Sequence, residues 1–159
     1  MPRKSLLIAI FVMMIAPLFS VETSLAQQKM DKPAAMQERS LYQRLGGYDP
    51  IAAVVDDFIS RLLTDTQLSH FFTGHSLDSK KHIRQLIVEQ LCMAAGGPCF
   101  YTGRSMKASH EGLNITESDW AVMELHAVAV LDKFNVQGRE REEFLAAAAS
   151  LKGDIVQGH

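Results

Sequence analysis

Apolar positions recur every three or four residues through most of the chain after about residue 40. This period is typical of amphipathic helices, and no alternating pattern that would indicate β-strands competes with it. The chain is therefore predicted to be all-α, with five or six helices. They are expected over residues 40–45, 49–63, 78–95, 104–111, 116–134 and 138–156, with a short apolar piece at 68–72.

Capping residues and glycines mark the predicted helix boundaries. Thr116 and Asp119 fit a capping box at the start of one helix. Asp49 is expected to cap another, with Pro50 in its first turn. The Gly-Gly-Pro sequence at 96–98 should end the helix before it, because Pro lacks an amide N–H and Gly loses the most backbone entropy on ordering.

Residues 1–26 have the composition of a secretory signal peptide. Arg3 and Lys4 give a positive start, residues 6–19 are almost all apolar, and residues 24–26 place small side chains where a signal peptidase reads them. An uncleaved membrane anchor is the alternative, but the apolar run is short for a span of about 20 residues. Cleavage is therefore favoured, and the domain is expected outside the cytoplasm.

The rest of the chain is predicted to be a flexible linker followed by one domain. Residues 27–39 are mainly polar and include Pro33, which favours a linker. The length of 159 residues fits a single domain. A formal net charge of −2 argues against a nucleic-acid binder, and a hydrophobic content of 47% argues against intrinsic disorder.

The candidate chemistry lies on the short helix predicted between Gly103 and Gly112. Met106 and His110 are four residues apart and share a helix face, and Lys107 lies beside that face. An imidazole next to a thioether, with a lysine at the rim, suits a flat apolar ligand that has anionic edges and a metal centre. Haem is such a ligand, since one imidazole can bind its iron and a lysine can pair with its carboxylates.

The remaining histidines are weaker candidates for an iron ligand. Most histidines in helical proteins serve other roles, and these lie at the chain end, in a polar connection or off the apolar stripes. His82 precedes the stripe of the 78–95 helix and is considered as a second axial ligand, but its helical position points sideways. The others are His70, His75, His126 and His159.

The pattern GGPxxYTGRxMKxxH at 96–110, with LYxxLGG at 41–47 and a Phe-Phe pair between them, resembles the group I truncated haemoglobins. The resemblance covers about residues 40–157. It implies a 2-on-2 helical sandwich around haem b held without a covalent bond, and reversible binding of O₂, NO or CO, with oxygen transport as one role. With the leader, it points to a periplasmic location.

The resemblance also assigns roles to individual residues. His110 matches the proximal ligand of the iron, and Phe72 matches a phenylalanine that stacks on haem. The other expected haem contacts are Ile83, Leu86, Ile87, Tyr101, Met106, Lys107, Trp120 and Met123. The expected distal pocket, on the open side of the iron, consists of Phe58, Ile59, Gln90 and Leu91.

The distal pocket departs from the family pattern. The family commonly places a tyrosine at the position that matches Ile59, and its usual polar distal positions match Ile83, Leu86 and Ile87. These positions are matched by aligning the chain to the family pattern at the glycines 96–97 and counting towards the N-terminus without a gap. Gln90 is the remaining polar side chain on the apolar stripe of the 78–95 helix. It could face the bound gas, but a position at the solvent edge explains it equally well. We therefore expect faster O₂ release than in relatives that have the tyrosine.

Cys92 and Cys99 leave two alternatives open. Export would permit a disulfide, but the geometry that it needs cannot be read from a sequence, and one buried and one surface thiol would fit as well. No C-x-x-C-H motif is present, so covalent attachment of a c-type haem is not indicated.

Two other functions compete with gas binding. An NO dioxygenase on the same scaffold would need an external reductase, because the chain has no flavin or nicotinamide motif. A small helical domain that binds a protein partner and no cofactor would be colourless when purified. Peroxidase chemistry ranks low, because no acid–base group lies on the distal stripe.

Overall fold

The structure, a computed structural model, describes residues 38–158, and the predicted signal peptide and most of the predicted linker lie outside these residues. The described part contains helices and no β-strand, which confirms the all-α prediction; one isolated bridge joins Thr116 and Gly158. The helices are α1 (Leu41–Arg44), α2 (Tyr48–Thr64), α3 (Leu77–Ala94), α4 (Met106–His110), α5 (Glu117–Lys133), α6 (Gly138–Ala149) and α7 (Lys152–Ile155), with a 3₁₀ turn at Ser69–Phe72.

Helix α2 lies at the centre of the fold, because α3, α5 and the 3₁₀ turn all pack on it. Its inward residues recur every three or four positions, as the sequence predicts, and they form the main core cluster with a residue of α3. Burying an aliphatic side chain of this size contributes about 1.5–3 kcal/mol. The cluster consists of Ile51, Ala52, Val55, Ile59 and Val88.

Two predicted helix boundaries are wrong. Asp49 is not the N-cap of α2; Gly47, with φ of 96°, takes that place and Asp49 lies inside the first turn. There its carboxylate still lies close to the positive end of the helix dipole. The helix predicted over 138–156 is broken at Ser150, whose hydroxyl donates to the carbonyl of Ala147 at 2.7 Å. Such a local bond competes with helix continuation.

A disulfide joins Cys92, in the last turn of α3, to Cys99 in the following loop, with the two Cα atoms 5.8 Å apart. This answers the question that the sequence left open. The loop passes so close to α3 that a Cβ on Gly97 would lie 2.7 Å from the Cys92 sulfur and 2.5 Å from the Tyr42 ring. Only glycine fits at that position.

Charged side chains tie α1 to α6. The Arg44 guanidinium bonds Glu140 at 2.9 Å and also reaches Glu143, while its own side chain is only 13% exposed.

No helix within residues 38–158 is long and apolar enough to cross a membrane.

Candidate functional site

His110 is the last residue of α4, a helix of five residues. The helix begins at Met106 because the Ser105 hydroxyl caps it, accepting from the amide of Ala108 at 3.2 Å. It is shorter at both ends than the helix predicted over 104–111.

The imidazole of His110 is oriented by its own helix. Its Nδ1 lies 2.7 Å from the carbonyl oxygen of Met106. A carbonyl only accepts, so Nδ1 is the donor in this contact. Nε2 has no hydrogen-bond partner within residues 38–158, and the residue is half-buried. A neutral imidazole with one nitrogen bonded and the other free is the form that ligates metals.

Gln157 supports the C-terminal end of α4, a role that no pattern in the sequence indicates. Its side-chain amide donates to the carbonyl of His110 at 2.9 Å, and its carbonyl accepts from the amide of Gly112 at 3.1 Å. Helix α7, just before Gln157, packs on α4. The histidine is thus held from the C-terminal end of the fold as well as by its own helix.

Tyr101 and Lys107 flank α4. The Tyr101 hydroxyl donates to the carbonyl of Arg104 at 2.6 Å, so it closes the turn that precedes the helix. Lys107 is exposed and has no ion-pair partner in the described part of the chain. Met106, the first residue of α4, is half-buried.

The stripe predicted on α3 is only partly covered by protein. Ile83, Leu86 and Ile87 are all half-buried, Ile87 because it packs against the core cluster, and the fully buried residues of this helix are Val88 and Cys92. Apolar side chains left half-exposed on one helix lose part of the stabilisation that full burial would give. They therefore suit an apolar ligand laid against them.

The expected distal residues differ in their surroundings. Ile59 is 8% exposed and belongs to the core cluster, and Leu91 packs against that cluster. Phe58 and Gln90 are half-buried, and the Gln90 amide makes no hydrogen bond within the described residues. Phe72, at the end of the 3₁₀ turn, is also half-buried.

The start of α5 is fixed by Asp119, which is 8% exposed. One carboxylate oxygen accepts from Gln67 at 2.7 Å, and the other accepts from the amide of Thr116 at 2.9 Å and from its hydroxyl at 2.7 Å. These bonds, the one from Gln67 most of all, hold the pKa of Asp119 below its ordinary value of 3.8. The predicted capping box is confirmed. Gln67 precedes the turn that carries Phe72, so that turn and α5 are joined here.

Trp120, the next residue, is only 3% exposed, and its indole Nε1 is buried without a hydrogen-bond partner in residues 38–158. A buried polar group left unpaired costs about 1–3 kcal/mol. Met123 lies one turn further along α5 and is half-buried.

Two of the other histidines are engaged elsewhere. His126 lies 2.8 Å from a carboxylate oxygen of Asp65, and that hydrogen bond is the largest cause of the lowered pKa of Asp65. The Nδ1 of His70 donates to the carbonyl of Gln67 at 2.6 Å. His82, considered above as a second axial ligand, is exposed.

Within residues 38–158 no group of three or more His, Cys, Asp or Glu side chains is placed to hold a metal ion. A lone histidine such as His110 binds a metal tightly only if a cofactor supplies the other ligands. Haem does this with its four ring nitrogens, so the residues present fit haem better than a metal held by protein alone.

A small apolar pocket of about 90 Å³ lies away from His110. It is lined by side chains of α2, α5 and the region of α6, among them Ile51, Leu131 and Phe144. It shares only Leu91 with the predicted site.

Comparison with known proteins identifies the family of the chain. Residues 40–157 match the family model described as bacterial-like globin. The chain is 37% identical over 119 residues to the group 1 truncated haemoglobin GlbN of Mycolicibacterium paratuberculosis, which covers 75% of this chain and 85% of that protein. It is 29% identical over 107 residues to the group 1 truncated haemoglobin of Tetrahymena pyriformis, covering 67% of this chain and 82% of that one.

Solved structures show the same relationship. A single-site mutant of the truncated haemoglobin of Tetrahymena pyriformis, in the Fe(III) form, superposes with a TM-score of 0.67 at 25% identity and covers 74% of this chain and 98% of that one. The 2/2 haemoglobin of a Synechococcus species, in the cyanomet state with covalently attached haem, superposes with a TM-score of 0.66 at 25% identity. The match covers 74% of this chain and 98% of that one.

The family match spans most of the chain, and the fold is that of the 2-on-2 all-α globins. The chain belongs to the group 1 truncated haemoglobins, and it is a haem-binding globin that holds haem without a covalent bond and binds diatomic gases.

Proposed function

We propose that His110 is the proximal ligand of the haem iron and that the protein reversibly binds O₂, or NO or CO, outside the cytoplasm. The observation that carries the proposal is the bond from His110 Nδ1 to the carbonyl of Met106, which leaves Nε2 free. Bound haem supplies the iron on which the gas binds. The chain holds the imidazole in one tautomer and orientation, and it covers the haem faces with apolar side chains that exclude water.

The haem contacts are proposed from the same arrangement. The half-buried stripe of α3 and the residues Phe72, Met106 and Met123 would lie against the ring. Lys107, exposed beside His110, would pair with a haem carboxylate.

Fast O₂ release is part of the proposal, because the distal positions of this chain are apolar. Bound O₂ carries partial negative charge, and a hydrogen-bond donor stabilises it by about 0.5–1.5 kcal/mol, which is up to about tenfold in dissociation rate. Ile59, which the sequence resemblance matches to the tyrosine position of the family, lies in the core cluster and offers no donor. Gln90 has an amide that is free within the described residues and half-buried.

The test is the O₂ dissociation rate of the haem-loaded protein, measured by stopped flow for the wild type and for Gln90→Leu. We expect release up to about tenfold faster than in tyrosine-bearing relatives measured alongside. A further increase in Gln90→Leu would show that this amide is a partial donor. Slow release that does not change in Gln90→Leu would contradict the apolar-pocket proposal.

Export to a periplasm is supported by two observations. The N-terminal sequence has the features of a cleaved signal peptide. The Cys92–Cys99 disulfide is of the kind that persists in oxidising compartments. No observation on the described residues favours the alternative, an NO dioxygenase supplied by an external reductase.

A further inference from the structure

Helix α4, which carries His110, is too short to be stable alone. It has five residues, none of them fully buried, and Gly103 and Gly112 lie close to its two ends. Isolated helices shorter than about 12–15 residues are marginal in water. The bond from His110 Nδ1 to the carbonyl of Met106 lies within α4, so it orients the ring relative to the helix and moves with the helix. The place of the imidazole in the molecule therefore depends on contacts that reach α4 from outside.

The side-chain amide of Gln157 makes such a contact at the C-terminal end of α4. Its nitrogen donates to the carbonyl of His110 at 2.9 Å, and its oxygen accepts from the amide of Gly112 at 3.1 Å. The same carbonyl accepts from the amide of Leu113 at 3.1 Å, so both of its lone pairs are used. A primary amide carries a donor and an acceptor together, and here one side chain bridges the turn that ends the helix.

The segment 156–158, which carries Gln157, is itself fixed to the start of α5. The backbone amides of Gln157 and Gly158 donate to the carbonyl of Ile115 at 2.9 and 3.1 Å. Gly158 also forms the isolated bridge with Thr116, the N-cap residue of α5. Gln157 therefore connects the end of α4 to a part of the fold that is held by its own hydrogen bonds.

The side chain of Gln157 is exposed, so its contribution comes from two hydrogen bonds and not from burial. Water can replace hydrogen bonds at the surface, and losing them should change the stability of the whole fold little. Water cannot, however, connect α4 rigidly to the segment 156–158. Removing the amide should therefore loosen α4 and leave the core cluster of α2 and α3 intact.

We propose that Gln157 is a positioning residue, whose amide holds the backbone of His110 so that Nε2 is presented to the haem iron in one place and direction. This inference rests on the proposed function, in which His110 ligates the iron. The bond from Nδ1 to Met106 sets the rotation of the ring, and the bond from Gln157 sets the backbone from which the ring projects. Such supporting hydrogen bonds orient a metal ligand and hold it in its ligating geometry.

The first test reads the backbone of α4. Hydrogen–deuterium exchange of single amides is followed by NMR in the haem-loaded, reduced CO form, which is diamagnetic. Gln157→Met keeps the length of the side chain and removes both hydrogen bonds, whereas Gln157→Glu keeps the acceptor for Gly112 and removes the donor to His110. Gln137→Met is the matched control, because the Gln137 side chain is also exposed and bonds Asn135, two residues away.

The two variants should separate the two bonds of the amide. The amide of Gly112 should exchange about two- to tenfold faster in Gln157→Met and at the wild-type rate in Gln157→Glu. The amide of Glu111, which closes the last turn of α4 on the carbonyl of Lys107 at 2.9 Å, should exchange faster in both. The control should match wild type. Exchange that does not change in Gln157→Met would overturn the proposal.

The second test reads the bond between the iron and the histidine. Its stretching band is measured by resonance Raman spectroscopy in the reduced form without gas. The band should shift in both Gln157 variants and stay in place in Gln137→Met. Haem loss should be about two- to tenfold faster in Gln157→Met, because the imidazole spends less time in its ligating position.

An unmoved band and unchanged haem loss would overturn the proposal even if exchange quickens, since Gln157 would then steady α4 without positioning the ligand. If Gln157→Met does not fold, as shown by circular dichroism, Gln157→Glu measured in the same way decides. Failure of the proposed function looks different: wild type would show no iron–histidine band, or His110→Ala would keep it. A band that is lost in His110→Ala and unmoved in the Gln157 variants would contradict only the inference about Gln157.

Discussion

A short-range contact orients His110, the residue that we propose as the iron ligand. The bond from its Nδ1 to the carbonyl of Met106 fixes the direction of the ring and leaves Nε2 without a partner among residues 38–158. The sequence places Met106 and His110 on one face of a short helix, but it could not predict this bond, which depends on a side-chain rotamer. Nor could it predict Gln157, which is far from His110 in sequence.

At the same scale, Ile59 controls the polarity of the distal pocket in our account. Ile59→Tyr should slow O₂ dissociation by up to about tenfold relative to Ile59→Phe, because the two differ only by a hydroxyl donor. Both changes overpack the core cluster at a cost of about 1–3 kcal/mol, so Ile59→Phe is the matched control. Laser-flash or stopped-flow kinetics of the haem-loaded variants would measure this. Identical O₂ release in the two would mean that position 59 does not face the gas.

At the scale of elements, the sequence predicts helix ends most accurately where nearby residues in the sequence determine them. The sequence predicts helix α3 at 78–95 and the helix runs over Leu77–Ala94, since Gly-Gly-Pro stops it whatever packs nearby. The capping box likewise predicts the start of α5. The break at Ser150 is not predicted, because the Ala-rich sequence before it favours a continuing helix by propensity, and the hydroxyl–carbonyl bond at the break depends on a side-chain rotamer.

The disulfide links two such elements, the end of α3 and the loop that leads to α4. Cys99→Ser should lower the free energy of unfolding of the haem-free protein by about 2–3 kcal/mol, because the bond restricts the unfolded chain. Urea denaturation monitored by circular dichroism measures the change. Wild type treated with dithiothreitol should lose a similar amount, and reductant should leave Cys99→Ser unaffected. Equal stability of oxidised, reduced and mutant protein would contradict the structural role.

At the scale of the whole molecule, carboxylates join the elements. Helix α1 is tied to α6, and the segment after α2 is tied to α5. A sequence shows the charges but not the pairing, because partners such as Arg44 and Glu140 are almost a hundred positions apart. Hydrogen bonds and nearby charges lower the pKa of several of these carboxyl groups, namely Asp56, Asp57, Asp65, Asp119 and Glu140.

These lowered pKa values predict acid sensitivity. A carboxyl group whose pKa is lower in the folded state stabilises it fully above the unfolded value, about pH 4, and this stabilisation is lost as the pH falls through the folded pKa. The haem-free protein should therefore lose stability below about pH 4. Thermal unfolding of Asp119→Asn should show a shallower loss than wild type, and the exposed control Glu124→Gln should follow wild type. A wild-type melting temperature that stays constant down to about pH 3 would contradict this prediction.

The central claim, that His110 binds the haem iron, is tested most directly by visible spectra of the haem-loaded protein in its reduced CO form. Wild type and the exposed-histidine control His75→Ala should show the same sharp Soret band. His110→Ala should lose it or shift it strongly, because the remaining histidines are paired, exposed or distant in the chain. A His110→Ala spectrum identical to that of wild type, or no Soret band in wild type that is folded and supplied with haem, would contradict the account.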